Sequence, residues 1–258
     1  MSDAVLEERD GSVLTLVLNR PEKRNPLGLD LMRELAARLR AADDNRDVHV
    51  VVIGAAGPAF SAGHDLRELT GRDEAFYEEV FDACAELMLT IHGTAKPVIA
   101  RVQGIATAAG CQLVAACDLV VASEEARFAT PGVKIGLFCS TPMVEVARVV
   151  GRKRAMEMLL TGDMISAETA ADWGLVNRVV AADDLDRATA ELAARIAEAS
   201  PVTLGIGKRA FWENMDLTLA AAYTHASETM CRNAMADDAQ EGMTAFLEKR
   251  TPVWSGHG

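Results

Sequence analysis

The sequence predicts an α/β fold: a parallel-type sheet in the front of the chain, followed by a helical tail. Three observations lead there. Short β-rich runs alternate with runs of helical periodicity, and strands in that order need crossover connections. Strands nearly vanish beyond about Pro142. Half of the 258 residues are hydrophobic but only 5% are aromatic. That balance favours close-packed helices over an aromatic-rich β-sandwich and fills a sizeable core.

Taken in order, Val13–Leu18 (VLTLVL) alternates and is β-rich, so it reads as a strand. Residues 19–27 hold Pro21 and Pro26 and read as a polar turn. Leu31, Leu35, Leu39 and Ala42 recur at helical spacing, with Asp30 placed to cap that helix. Residues 48–53 (VHVVVI) are nearly continuously apolar, as a strand covered on both faces requires. The Gly-, Ala- and Pro-rich residues 54–65 read as a loop. Phe76, Val80, Cys84, Leu87 and Ile91 mark a second helix, and Val98–Val102 another buried strand. A small-residue turn over 103–109, a short helix over 110–117 and a strand over 119–122 follow. Helices are predicted at 142–149, 152–160, 166–173 and 185–199, with a last short strand within 175–180. From Pro201 the chain is helical again, in segments ending near Met215, Met235 and Lys249. No internal repeat is visible. The predicted organisation is an α/β core over 1–200 and a helical region over 201–258.

Lys and Arg number 26 against 38 Asp and Glu, a formal net charge of −12. So acidic a chain repels phosphate backbones, and no nucleic-acid partner is expected. A local basic pocket for a small phosphorylated ligand stays compatible with it. The five cysteines, Cys84, Cys111, Cys117, Cys139 and Cys231, form no CxxC pair and read as free thiols in a reducing compartment. Residues 1–8 are polar and carry no basic-then-apolar signal. No apolar run reaches the length of about 18 residues that a membrane span needs. A soluble, cytoplasmic protein is expected. The nucleotide loops GxGxxG and GxxxxGK[ST] are absent, as is the GxSxG elbow. His49, His64, His92, His225 and His257 show neither HxxxH nor HExxH spacing, and no metal is expected. The basic run Arg152, Lys153, Arg154 reads as a solvated face, with a phosphate contact as the alternative.

Two loops stand out. One is FSAGHDL over residues 60–66, the other QGIATAAGCQ over 103–112. Each follows a buried strand and leads toward helix. Small residues let a ligand approach the backbone, and N–H groups at a helix start are unpaired and partly positive. Two such loops side by side place two donors on one oxygen, which is an oxyanion hole. Tight packing alone also explains such loops.

Five stretches in order, LNRPEKRNPLGLDL, FSAGHDLREL, KPVIARVQGIATAAGCQLVAACDLVVASEEARFATPGVKIGL, AMEMLLTGDMISAETAADWGLVNRVV and EGMTAFLEKRTPVW, span nearly the whole chain. Through them the sequence resembles the crotonase (enoyl-CoA hydratase/isomerase) superfamily. Within it the chain is most similar to the enoyl-CoA hydratase domain-containing protein 3 type, through AGHDL, TAAGCQL, FATPGVKIGLFCSTPM and KRTPVWS. The resemblance implies a crotonase-like spiral of ββα units with a helical C-terminal oligomerisation region, packed as a homotrimer or hexamer. It implies an acyl-CoA thioester as partner, with coenzyme A part of the substrate and no separate cofactor. Carried over residue by residue, the two oxyanion donors fall at the N–H groups of His64 and Ala109. The segment His64, Asp65, Leu66, Arg67 then lines the coenzyme A.

The sequence departs from that pattern where hydration needs it most. Enoyl-CoA hydratases carry two glutamates, one after the Gly-rich loop and one after the Pro of the next loop, to activate water and deliver a proton. Here those positions are Gln112, which cannot exchange a proton at neutral pH, and Gly132, which has no side chain. Glu124 and Glu125 lie past a strand and are expected to be exposed. His64 titrates near neutrality and is one candidate shuttle; its alternative role is only to supply its N–H. Asp65 reads as a helix cap. Cys139 aligns with an acidic residue of the naphthoate-synthase-type members, and a thiol there moves protons only if its pKa is lowered; core packing is its other reading. Ser140 and Thr141 either hold a water or cap the helix starting at Pro142. Cys111 and Cys117 read as core thiols. Phe211, Trp212, Met230, Met235, Met243, Phe246 and Leu247 supply apolar area that core packing explains and to which the resemblance adds subunit contacts. The reading is an acyl-CoA-processing enzyme stabilising a thioester enolate, with poor hydration by the usual route. The alternative is a catalytically silent acyl-CoA-binding protein, and a third, weaker one a purely structural oligomer.

Overall fold

The computed structural model describes residues 4–256, so His257 and the first three residues of the N-terminal segment lie outside it. The front of the chain is a spiral of long strand, short strand and helix. The hairpin of β1 (Val5–Asp10) and β2 (Val13–Leu18) opens it, and α1 (Leu29–Asp44) follows. The first turn is β3 (Val50–Ala55), β4 (Ala59–Ser61), the single-turn α2 (Leu66–Leu69) and α3 (Glu74–Gly93). The second is β5 (Val98–Val102), β6 (Ile105–Thr107) and α4 (Ala109–Ala116). The third is β7 (Leu119–Ser123), β8 (Arg127–Ala129), a 3-10 turn (Pro131–Ile135), α5 (Pro142–Val150) and α6 (Arg152–Thr161). After β9 (Ile165–Ser166), α7 (Ala167–Asp172) and β10 (Arg178–Val180), the chain ends in α8 (Leu185–Ala197), α9 (Pro201–Asn214), α10 (Leu219–Met235) and α11 (Asp237–Glu248).

The long strands form a six-stranded sheet in the order β1-β2-β3-β5-β7-β10, parallel from β2 onward. The short strands form a second sheet, β4-β6-β8-β9, in which the first three run parallel. So the chain does repeat in structure, although its sequence shows no repeat. The three-residue strands are too short to alternate visibly, so the sequence reads β4 as loop and β6 as turn; pairing to neighbours makes them strands. β1 escapes for a different reason: only Val5 is buried and the rest of VLEERD is exposed.

The apolar run of β3 is covered on both faces. Val51 and Ile53 pack into the main core with Leu35, Leu87 and Ile91 of α1 and α3, while Val50 and Val52 pack with Leu185, Leu192 and Ala193 of α8. Two expected caps are corrected. Asp30 does not cap α1: Gly28 holds that position, and the Leu29 N–H donates instead to Glu68 Oε2 of α2 at 3.1 Å. Neither Ser140 nor Thr141 caps α5 by its side chain; Ser140 Oγ donates to Phe138 O at 3.4 Å, and Pro142 at the first helical position has no N–H to satisfy.

α9 is tied to the core through a buried ion pair, Lys208 Nζ to Asp118 Oδ2 at 2.6 Å. Asp118 also accepts from Val98 N and Trp212 Nε1. The chain end folds back: buried Asp238 accepts from Ser200 Oγ, Ser255 N and Ser255 Oγ, and Glu241 accepts from both Arg250 and Val253 N. Phe211, Met230, Met235, Met243, Phe246 and Leu247 remain largely exposed, so packing within one chain does not account for them. Among the described residues no helix is long and apolar enough to cross a membrane.

Candidate functional site

Two strand ends meet because β4 and β6 are parallel neighbours, with Ala59 opposite Ile105 and Ser61 against Ala106. The chain leaves both strands in the same direction, so the turns after them lie side by side. The contact is close enough to demand glycine. Gly63 has φ +91, and a Cβ on it would stand 2.8 Å from Ala108 Cβ and 3.3 Å from Ala109 N. A Cβ on Gly110 would stand 2.6 Å from Ser61 O. Ala108 itself has φ 50, unusual for a residue with a side chain. It is fixed there by its N–H to Ala129 O at 2.9 Å and by Gln112 N, which donates to its carbonyl at 3.0 Å.

His64 follows Gly63 and bridges to Leu27. The ladder bond there runs from Leu27 N to Gly63 O at 2.8 Å, which leaves the His64 N–H outside it. Ala109 is the first residue of α4 and fully buried, so its N–H is one of the donors a helix start leaves without an intrahelical partner. Both residues line a cavity of about 370 Å³. Its walls come from Ala62, His64 and Leu66, from Phe81 of α3, and from the segment 131–142, including Ile135, Leu137, Phe138 and Cys139. No Asp or Glu is among the described residues that line it. Lys134 is the charged side chain on the wall, and it pairs with Asp163 at 2.8 Å.

The imidazole of His64 has Nδ1 3.2 Å from Leu27 O and its ring edge-on to Phe81, centroids 5.6 Å apart. Burial pushes its pKa below the ordinary value, opposed by the bond to Leu27 O and by Glu68. Cys139 lines the same cavity. Burial raises its thiol pKa, partly offset by the Gly132 N–H that Sγ accepts at 3.3 Å. A thiol raised in pKa is a poor base at neutral pH, which removes the condition on which a proton shuttle at Cys139 depended. Cys111 is pushed up to about 12 by burial, and Cys117 is buried as well, so both are core thiols.

A family profile described as "Enoyl-CoA hydratase/isomerase" matches residues 8–257. The chain belongs to the enoyl-CoA hydratase/isomerase family. It is 47% identical over 255 residues to "Enoyl-CoA hydratase domain-containing protein 3, mitochondrial" of Danio rerio, covering 98% of this chain and 88% of that protein. It is 35% identical to "2,3-dehydroadipyl-CoA hydratase" of Escherichia coli (strain K12), covering 99% of this chain and 100% of that one. The crystal structure of human enoyl-CoA hydratase domain-containing protein 3 superposes with a TM-score of 0.95 at 45% identity, covering 98% of this chain and 100% of that one. Crotonase-fold neighbours at that level agree with the spiral described above. One expectation is overturned: relatives from five organisms carry "mitochondrial" in their names, so the cytoplasmic placement does not stand. Free thiols argue only for a reducing compartment, and reducing conditions are not unique to the cytoplasm.

The predicted site residues separate in this family fold. His64, Leu66, Ala109 and Cys139 come together around the cavity. Asp65 caps α2 through Arg67 N at 3.0 Å, and Arg67 is exposed beside Leu66. Gln112 turns away: it is buried, it is not on the cavity wall, and Cys84 Sγ donates to its Oε1 at 3.5 Å. Gly132 is on the wall, yet a Cβ there would collide with Leu137 O and stand 2.8 Å from Cys139 Sγ. Its backbone is therefore closed against any larger residue. Glu124 and Glu125 are exposed, as expected. Sequence reasoning missed Phe81 and the apolar wall at Ile135, Leu137 and Phe138. Phe81 carries a faint signal, an aromatic one step off the apolar stripe of its helix; the wall segment carries none, because irregular backbone has no period.

Proposed function

We propose that the chain is an acyl-CoA-processing enzyme that polarises a thioester carbonyl through the N–H groups of His64 and Ala109. The observation that carries this reading is the pairing of β4 with β6. It sets the turn that carries the His64 N–H beside the start of α4, and both His64 and Ala109 line one apolar cavity. A thioester oxygen held by two backbone donors gains negative charge as the adjacent carbon loses a proton, and preorganised donors in an apolar site favour that charge. Removing one such donor costs about 2.7–4 kcal/mol of transition-state stabilisation in comparable sites. The apolar wall of Phe81, Ile135, Leu137 and Phe138 suits the acyl group. Coenzyme A leaves past Leu66 and Arg67.

Efficient hydration by a glutamate pair does not fit this cavity. Gln112 faces Cys84, and Gly132 has no room for a carboxylate. The same two observations favour a second reading, an acyl-CoA-binding protein without turnover. Mass spectrometry of acyl- and enoyl-CoA thioesters incubated with the protein in D₂O separates them. Deuterium gained at carbon without net water supports enolate chemistry. Water added to an enoyl thioester overturns the argument against hydration. Bound but unchanged thioesters move the reading to a silent binder.

A further inference from the structure

The cavity has a wall that the fold itself does not use. Leu66, Phe81, Ile135, Leu137 and Phe138 line it, and none of them belongs to either hydrophobic core. Ile135 ends the 3-10 turn, and Leu137 and Phe138 follow it in irregular backbone. Ile135 is 61% exposed and Leu66 50%, and Leu137 and Phe138 also keep open surface. Single exposed apolar residues need no explanation, but five around one cavity mark a ligand surface. The charge on this cavity is held outside it. Lys134 lines it, but its ammonium pairs with Asp163, which does not, and both side chains are more than half exposed. The His64 imidazole adds no charge at neutral pH, because burial lowers its pKa. The Cys139 thiol stays neutral for the same cause acting in the other direction.

We propose that this wall receives the acyl chain and selects hydrocarbon chains of medium length over chains that end in a carboxylate. The proposal rests on the reading of the cavity as a thioester site. His64 and Ala109 line the same cavity as the five apolar residues, so thioester and chain share one space. Each methylene moved from water onto such a wall tightens binding about fourfold. A chain-terminal carboxylate gains nothing there. Either it loses its hydration without a cation to pair with, or it turns back to solvent and leaves methylenes uncovered. Size sets the upper limit. A cavity of about 370 Å³ holds on the order of ten water-sized groups, and a methylene is of that size. The gain therefore ends at chains of roughly ten carbons.

The test is isothermal titration calorimetry of the full chain with butyryl-, hexanoyl-, octanoyl-, dodecanoyl-, hexadecanoyl- and adipyl-CoA. These thioesters are saturated, so no water can add to them. Affinity is expected to rise about fourfold per methylene from butyryl- to octanoyl-CoA and to level off by dodecanoyl-CoA. The heat-capacity change of binding should grow more negative over the same range. Adipyl-CoA, with the six carbons of hexanoyl-CoA and a second carboxylate, is expected to bind at least about 10-fold more weakly than hexanoyl-CoA. Ile135→Lys and Phe138→Lys each place a cation on the wall at a position outside the core, with folding checked by circular dichroism. Both are expected to lose most of the chain-length gain and to bind adipyl-CoA at least as tightly as hexanoyl-CoA. Equal affinity for butyryl- and octanoyl-CoA overturns the inference and leaves the thioester reading standing; a wall covered by a second copy of the chain would give that result. Adipyl-CoA bound by wild type as tightly as hexanoyl-CoA does the same, as does an affinity that climbs unbroken to hexadecanoyl-CoA. A wild-type pattern kept in both variants overturns the wall as the seat of selection. Thioesters that do not bind at all overturn both the inference and the thioester reading.

Discussion

Ala108 holds a positive φ that costs an L-residue of order 1–3 kcal/mol, and the cost is borne at the turn that starts α4. Such strain persists because neighbours over-determine it, here Ala129 O, Gln112 N and the bare backbone of Gly63. Gly63→Ala tests this at the residue scale. A new Cβ at φ +91 meets Ala108 Cβ and pushes the two turns apart. The expected outcome is a protein destabilised by about 1–3 kcal/mol, read by urea denaturation, whose remaining folded fraction loses thioester activity. His64 carries a second prediction. Its pKa is lowered from 6.5 in the fold, so the unfolded chain binds the extra proton first as pH falls. Its contribution is therefore intact above pH 6.5 and is lost as pH drops through the window below that value. The urea midpoint should fall between pH 7.5 and 5.5 by a smaller margin in His64→Gln than in wild type, and equal margins would count against the buried imidazole.

At the scale of elements, the long strands and helices were legible because each carries a period or an unbroken apolar run. The apolar stripe of α1 and the run of β3 are examples. The short strands β4, β6 and β8 were not, since three residues cannot show alternation and only pairing defines them. For the same reason the loops that make the site were found as small-residue stretches, while their side-by-side placement came from the sheet. The turn at Pro131–Ile135 shows what a family position omits. The resemblance implies a hydratase glutamate at the position of Gly132, but the chain is closed there, with Leu137 N donating to Gly132 O at 3.0 Å. Gly132→Glu, alone or with Gln112→Glu, is expected to lower the melting temperature and to gain no hydration of an enoyl-CoA, read by loss of the enoyl absorbance. Hydration gained in the double variant would show that the turn reopens. The anchor of α9 makes a separate prediction. Asp118→Ala leaves Lys208 buried without its carboxylate, and breaking a buried pair from one side costs about 3–5 kcal/mol. Limited proteolysis is expected to cut first within α9 and α10.

The whole molecule places its apolar surface unevenly. The core is closed by β3, α1, α3 and α8, yet the tail exposes Phe246 at 82%, Met235 at 81% and Leu247 at 79%. Exposed apolar groups of that size mark contact surfaces. A second copy of this chain is the occupant that the family resemblance implied. The charge decides how such an association must work. Each copy carries a net charge of −12, so copies repel at long range, and contact has to be driven by apolar burial. Added salt screens the repulsion over a distance of about 10 Å at 0.1 M and leaves the apolar term in place. Assembly should therefore tighten as salt rises, the opposite of an interface built on ion pairs. Light scattering coupled to size-exclusion chromatography at low and moderate salt reads this directly. Met235→Glu with Phe246→Glu adds two negative charges and removes two apolar side chains, so it is expected to give monomers with an unchanged far-ultraviolet circular dichroism spectrum. A wild type that runs as a monomer at every salt concentration would show that these residues serve something other than a second copy.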